Sequence, residues 1–125
     1  MDLCGFHCLG HHAWVKLVDD GSALIGAGDT FPDMIENLDR IEFHLSNDEI
    51  IQGKCCAQFI SKNGLVNMFW APLSGGVLAM NNELERNVQL VNTSPFDEGW
   101  LFRIVPFNQE EELYHLTCCE KRLTC

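Results

Sequence analysis

The chain is poor in basic residues, with 8 Lys and Arg against 18 Asp and Glu, so its formal net charge is −10. A surface of that sign repels phosphate backbones and anionic headgroups, which argues against nucleic acid and membrane surfaces as partners. The sequence also lacks any uninterrupted apolar run near the roughly 18 residues needed to span a bilayer, and it has no basic N-terminal stretch leading into an apolar one. These absences lead to the expectation of a soluble protein that stays in the cytoplasm. No linker rich in Ser, Pro or Gly interrupts the 125 residues, so residues 1–125 are expected to form a single domain. Missing too are a Gly-x-Ser-x-Gly elbow, a His-Glu-x-x-His pair and a phosphate-cradling glycine loop, so no catalysis of its own is expected.

Cysteine is abundant by contrast. There are 7, an odd number that cannot pair completely within one chain. In a reducing compartment such residues more often stay thiols or bind metal than form structural disulfides. Cys4, His7, Cys8, His11 and His12 crowd one end, and Cys118, Cys119 and Cys125 crowd the other. Chain ends often lie close together on a domain surface. Cys4, Cys8, Cys118 and Cys119 are therefore candidate ligands for zinc or an iron–sulfur cluster, against the plainer reading of reduced thiols on terminal extensions 1–11 and 114–125. Exchange of a terminal cysteine pair with another dithiol is a third reading. Adjacent Cys55 and Cys56 point to opposite faces of a strand, one in the core and one outside.

Most of the remaining pattern is β. His12 to Val18 reads as a strand, Asp19-Asp20-Gly21 as a turn, and Ala23 to Gly26 as its antiparallel return. Thr30 is placed to cap a short helix from Phe31-Pro32 to Leu38. Ile41 to Leu45 alternates apolar and polar residues, as a half-buried strand does. Cys55 to Ile60 and Leu65 to Trp70 flank Ser61-Lys62-Asn63-Gly64, where Asn-Gly is the strongest hairpin signal in the chain. Val77 to Met80 and Trp100 to Val105 add further strands, with a short helix expected over Glu83 to Asn87 and a final one over Gln109 to Arg122. Trp14, Trp70 and Trp100 each fall in an expected strand and are read as core anchors. Ser74-Gly75-Gly76, between Ala71-Pro72 and a strand, is read as a tight turn.

Ala71-Pro72-Leu73-Ser74-Gly75 resembles the Ala-Pro-Val-Ser-Gly segment of glycine-cleavage H-proteins. His12-Ala13-Trp14-Val15 is similar to that family's His-Glu-Trp-Val opening, and Val77 to Asn92 to its Gly-Glu-Val to Glu-Leu-Val-Asn stretch. Ser94 to Phe102 resembles its Asp-Pro-Tyr-Gly-Glu-Gly-Trp-Leu-Phe string. The resemblance runs from about residue 12 to residue 113. It implies a mainly β, lipoyl-domain-like barrel-sandwich hybrid with short peripheral helices and a C-terminal helix. It further implies a carrier whose lysine, on a protruding hairpin, holds covalent lipoate and shuttles an aminomethyl or acyl-type intermediate between the enzymes of a glycine-cleavage-like or other lipoate-dependent system.

The expected lysine is displaced. Counting back from Ala71-Pro72 puts Gly64 at the family position, and counting forward from Gly53 puts Asn63 there; neither side chain can be acylated. Lys62, at the same turn, is the candidate lipoyl lysine, and the glutamate that precedes the lysine in the family has no counterpart beside Ile60-Ser61. Two alternatives remain on the same scaffold: a non-lipoylated binding module that uses its acidic surface and the Phe69-Trp70 arm, and a Cys/His metal or redox protein.

Overall fold

A computed structural model describes residues 6–9, 12–28 and 37–118. Its strands form two antiparallel sheets. The larger runs β10-β1-β2-β3-β9-β8-β5, built from β1 (Phe6–Leu9), β2 (Ala13–Leu17), β3 (Ala23–Ala27), β5 (Glu49–Ile50), β8 (Gly75–Met80), β9 (Phe102–Pro106) and β10 (Thr117–Cys118). The smaller is β4 (Leu38–Phe43), β6 (Cys55–Ser61) and β7 (Val66–Trp70), in the order β4-β6-β7. Short helices α1 (Glu83–Arg86) and α2 (Leu90–Thr93) follow β8, and α3 (Gln109–Glu112) follows β9.

The inward faces of both sheets make one core. Val15 and Ile25 from β2 and β3, Phe102 and Ile104 from β9, and Phe59 and Phe69 from the smaller sheet are all buried in it. The Phe59 and Phe69 rings stack at 6.0 Å, while Phe43 meets Phe102 edge-on at 5.1 Å, joining the two sheets. A second apolar cluster lies on the other side of the larger sheet, where Trp14 packs with Phe6 at 5.3 Å and Phe96 at 5.8 Å. Trp14 donates its indole N–H to the Pro95 carbonyl at 2.9 Å. Its ring covers Gly26 so closely that a Cβ there would come within 2.2 Å of the ring. That contact admits only glycine.

Three expectations change. The helical segment expected over Gln109 to Arg122 is shorter: α3 gives way to a tight turn at Leu113–His115, and Thr117–Cys118 then pairs with β1. The favourable charge order of that segment competes with a ladder position beside His7 and Cys8, and the ladder takes it. The helix expected from Phe31-Pro32 falls mostly outside the described residues, and Leu38 itself begins β4. Of the three tryptophans only Trp14 is a buried anchor. Trp70 is 41% exposed, because adjacent Phe69 takes the inward position and strand alternation turns Trp70 out. Trp100 precedes β9 and lies half-buried against the Trp14 cluster.

Candidate functional site

The β6–β7 hairpin is held by its own backbone. Ser61 and Leu65 form the last paired position: the Ser61 N–H donates to the Leu65 carbonyl at 2.9 Å, and the Leu65 N–H donates to Ser61 Oγ at 2.9 Å. Between them lies a three-residue loop, Lys62-Asn63-Gly64. The Gly64 N–H returns to the Ser61 carbonyl at 3.0 Å, and the Ser61 hydroxyl donates to Asn63 Oδ1. Gly64 sits at φ +88, a left-handed position that closes such loops and disfavours side chains. Counting back from Ala71-Pro72 reaches this residue, which is why no lysine stands there.

Lys62 is thereby presented at the tip. Its side chain is exposed and makes no ion pair among the described residues, while its backbone N–H is fastened to the Asn37 carbonyl at 2.7 Å, just before β4. Asn63 is exposed as well. The arrangement offers a primary amine on a flexible stem above a tethered turn, with no carboxylate paired to it among the described residues.

The hairpin base is clamped from two sides. Ser74, in the Ala71 to Gly75 segment, donates its N–H to Glu112 Oε1 and its hydroxyl to Oε2, both at 2.7 Å. Ser74 Oγ in turn accepts the Gln52 N–H at 2.8 Å, and the Gln52 amide donates to Pro72 O at 2.9 Å and Glu112 O at 3.0 Å. One carboxylate on α3 thus ties together the segment leading into β6 and the segment leaving β7. Ser74 is a turn residue, as its sequence setting indicates, and one with a fixed partner.

On the other side, His12 Nε2 accepts the Trp70 N–H at 2.8 Å, with its ring stacked on Phe69 at 5.0 Å and edge-on to Trp70 at 5.5 Å. An accepting Nε2 requires the neutral imidazole, and burial lowers the His12 pKa in the same direction. Sequence reading groups His12 with the terminal cysteines; in the structure it serves the hairpin instead. Glu112 was hidden in an acidic run whose pattern says only that it lies early in a helix.

The terminal cysteines are brought together in part. β1 and β10 pair, with Cys8 opposite Thr117 and His7 opposite Cys118, while Cys4 and Cys119 lie outside the described residues. Cys8 is disulfide-bonded, so its sulfur is not a free thiolate, and no cluster of three or more His, Cys, Asp or Glu suited to a metal occurs among the described residues. In the smaller sheet Cys56 is buried and Cys55 half-buried, both free, as the strand alternation requires. Burial pushes the Cys56 thiol up to about 12 and keeps it protonated. No helix among the described residues is long and apolar enough to cross a membrane.

A family model described as glycine cleavage H-protein matches residues 7–124. The chain belongs to the glycine cleavage H-protein family. Among curated relatives, the glycine cleavage system H protein of Shewanella baltica is 32% identical over 100 residues, 80% of this chain and 77% of the relative. That of Shewanella sediminis is 34% identical over the same shares. In structure, the chain is similar to a glycine cleavage system H protein from Mycobacterium marinum, with a TM-score of 0.70 at 20% identity, covering 82% of this chain and 84% of the other. That likeness supports the fold, a mainly β barrel-sandwich of two sheets with a few short helices. The H-protein family carries lipoate, and the hairpin that ends in Lys62 leads directly into this chain's version of the Ala-Pro-x-Ser-Gly motif.

Proposed function

We propose that this chain is a lipoyl carrier in which Lys62 takes the place of the family's modified lysine, and that it passes a bound group between the enzymes of a glycine-cleavage-like system without catalysing a step itself. The observation that carries the reading is the exposed, unpaired Lys62 at the tip of a hairpin whose base is fixed on both sides. A carrier needs that contrast, since the stem must reach successive active sites from a defined starting point.

Lys62 fits the group on chemical grounds: its Nζ can form an amide with an activated carboxyl, losing a proton as the activating group leaves. Lipoate joined in this way would supply a dithiolane whose S–S bond a carbon nucleophile from a partner's substrate can open, one sulfur taking the new C–S bond and the other leaving as a thiol. The residues of the chain do the rest. Gly64 and Ser61 shape the turn so that a ligase meets the amine first, Asn37 anchors the Lys62 backbone, and Ser74, Glu112 and His12 keep the base from shifting. Cytoplasmic residence, expected from the sequence, suits a protein served by lipoate ligases.

The test is the intact mass and peptide map of protein made in cells that attach lipoate. A lipoyl adduct on Lys62, abolished by Lys62→Ala with the circular dichroism spectrum unchanged, is the expected result. Protein that stays wholly unmodified while a co-expressed H-protein is lipoylated overturns the proposal.

A further inference from the structure

β7 is the outer strand of the smaller sheet, and its chemistry is unusual for an edge. The pairings Ser61–Leu65, Phe59–Asn67 and Ala57–Phe69 direct the peptide groups of Leu65, Asn67 and Phe69 toward β6, so alternation turns those of Val66 and Met68 to the free edge. The next outward N–H, that of Trp70, is already taken by His12, which sets the end of the open stretch. Along it Leu65, Val66, Met68 and Trp70 are 65%, 49%, 45% and 41% exposed. Edge strands are normally blunted by charge or proline. Here no charged side chain occurs from Asn63 to Asn82, and no proline falls within β7.

The charges lie at the two ends. Among the described Lys and Arg residues, Arg40 is paired with Asp39 and Glu42, Arg86 with Glu83, and Arg103 with Asp20, while Lys16 lies over the Phe6 ring. Lys54 and Lys62 make no ion pair among the described residues. Lys62 stands at the loop before β7; Lys54 stands at its far end, where its carbonyl accepts the Ala71 N–H at 2.9 Å. In a chain of net charge −10, two uncommitted cations therefore bracket an uncharged, apolar edge.

We infer that the β7 edge is a docking ledge for an extended segment of a partner protein, apolar at alternate positions and carrying a carboxylate at each end. Backbone pairing at Val66 and Met68 supplies the attachment, Leu65 and Trp70 provide apolar contact, and Lys54 and Lys62 set the charge preference. A second copy of this chain is the weaker occupant, because it brings the same two cations and the same net charge to the interface.

The experiment uses isotope-labelled, unmodified full chain, so its outcome does not depend on acylation of Lys62. The probe is the synthetic peptide acetyl-Glu-Thr-Val-Thr-Val-Thr-Glu-amide, with a counterpart in which lysine replaces both glutamates. The expected result is slowed exchange and shifted resonances at the Val66 and Met68 amides with the first peptide. Binding of the lysine-ended peptide should be roughly three- to tenfold weaker, the span that two exposed ion pairs allow. Lys54→Glu, an exposed substitution, should shrink that preference. Undisturbed Val66 and Met68 amides at millimolar peptide, equal binding of both peptides, or concentration-dependent protection of the same amides without peptide each overturn the inference, the last by showing that a second copy occupies the edge.

Discussion

The two faces of this protein treat their aromatic residues in opposite ways. Around Trp14 every group is committed: the indole N–H to Pro95, the ring face to Gly26, the ring edges to Phe6 and Phe96. The neighbouring loop is equally closed, with Asn81 donating to the carbonyls of Glu98 and Trp100, and Gly99 so near Leu90 that a Cβ would meet its carbonyl at 2.4 Å. Along the arm that β7 forms, Phe69 is buried in the core, while the side chains of Leu65, Val66, Met68 and Trp70 are largely exposed. Both regions lie within the stretch that resembles H-proteins. The family strings at His12 to Val15 and Ser94 to Phe102 are spent on closing the fold, whereas the arm between Lys62 and Trp70, where the chain departs from the family, commits Phe69 to the core and leaves Leu65, Val66, Met68 and Trp70 exposed.

If that contrast is right, Gly26→Ala should be among the most damaging single changes. The added methyl has to displace the Trp14 ring and with it the Pro95 bond, so a loss of about 3 kcal/mol in urea unfolding is expected. A loss under about 1 kcal/mol would mean the Trp14 face is less tightly fitted than its geometry says.

A smaller effect joins the two regions through His12. Its folded-state pKa lies below the ordinary 6.5, so the unfolded chain binds the proton more readily. The contribution of His12 is complete above 6.5 and is lost as the pH falls through that value toward the folded one. Unfolding free energies measured from pH 7 to pH 5 should therefore drop more for the native chain than for His12→Gln, which keeps an acceptor for the Trp70 N–H but does not titrate. Parallel profiles would remove His12 from the role of latch.

The smallest effect is expected at the ledge, where Met68→Thr should change stability by no more than about 0.5 kcal/mol. The substitution keeps a β-prone residue on an exposed edge position, so a larger loss would show that Met68 is packed rather than open.

Much of the architecture was legible from sequence because it depends on local signals. The Asp19-Asp20-Gly21 and Asn63-Gly64 turns fix two hairpins, and Ala71 to Gly75 identifies the family plan. The misreadings share one cause, long-range competition. Trp70 looks like a core residue until Phe69, its neighbour, takes the inward position. Gln109 to Arg122 looks helical until β1 claims Thr117 and Cys118. β1 itself was obscured by its cysteine and histidine, which read as chemistry rather than as alternating strand residues. At the hairpin, the tip position of Lys62 was legible because it is a local feature; the roles of Glu112 and His12 were not, since their partners Ser74 and Trp70 lie 38 and 58 residues away in the chain.

The β1–β10 pairing also bears on biosynthesis. The first described strand of the larger sheet waits for the last, so a chain emerging from the ribosome can finish β2, β3 and the β6–β7 hairpin while His7 and Cys8 still lack their partners on β10. The nascent protein must carry an open edge at β1 until the residues of β10 have left the ribosome.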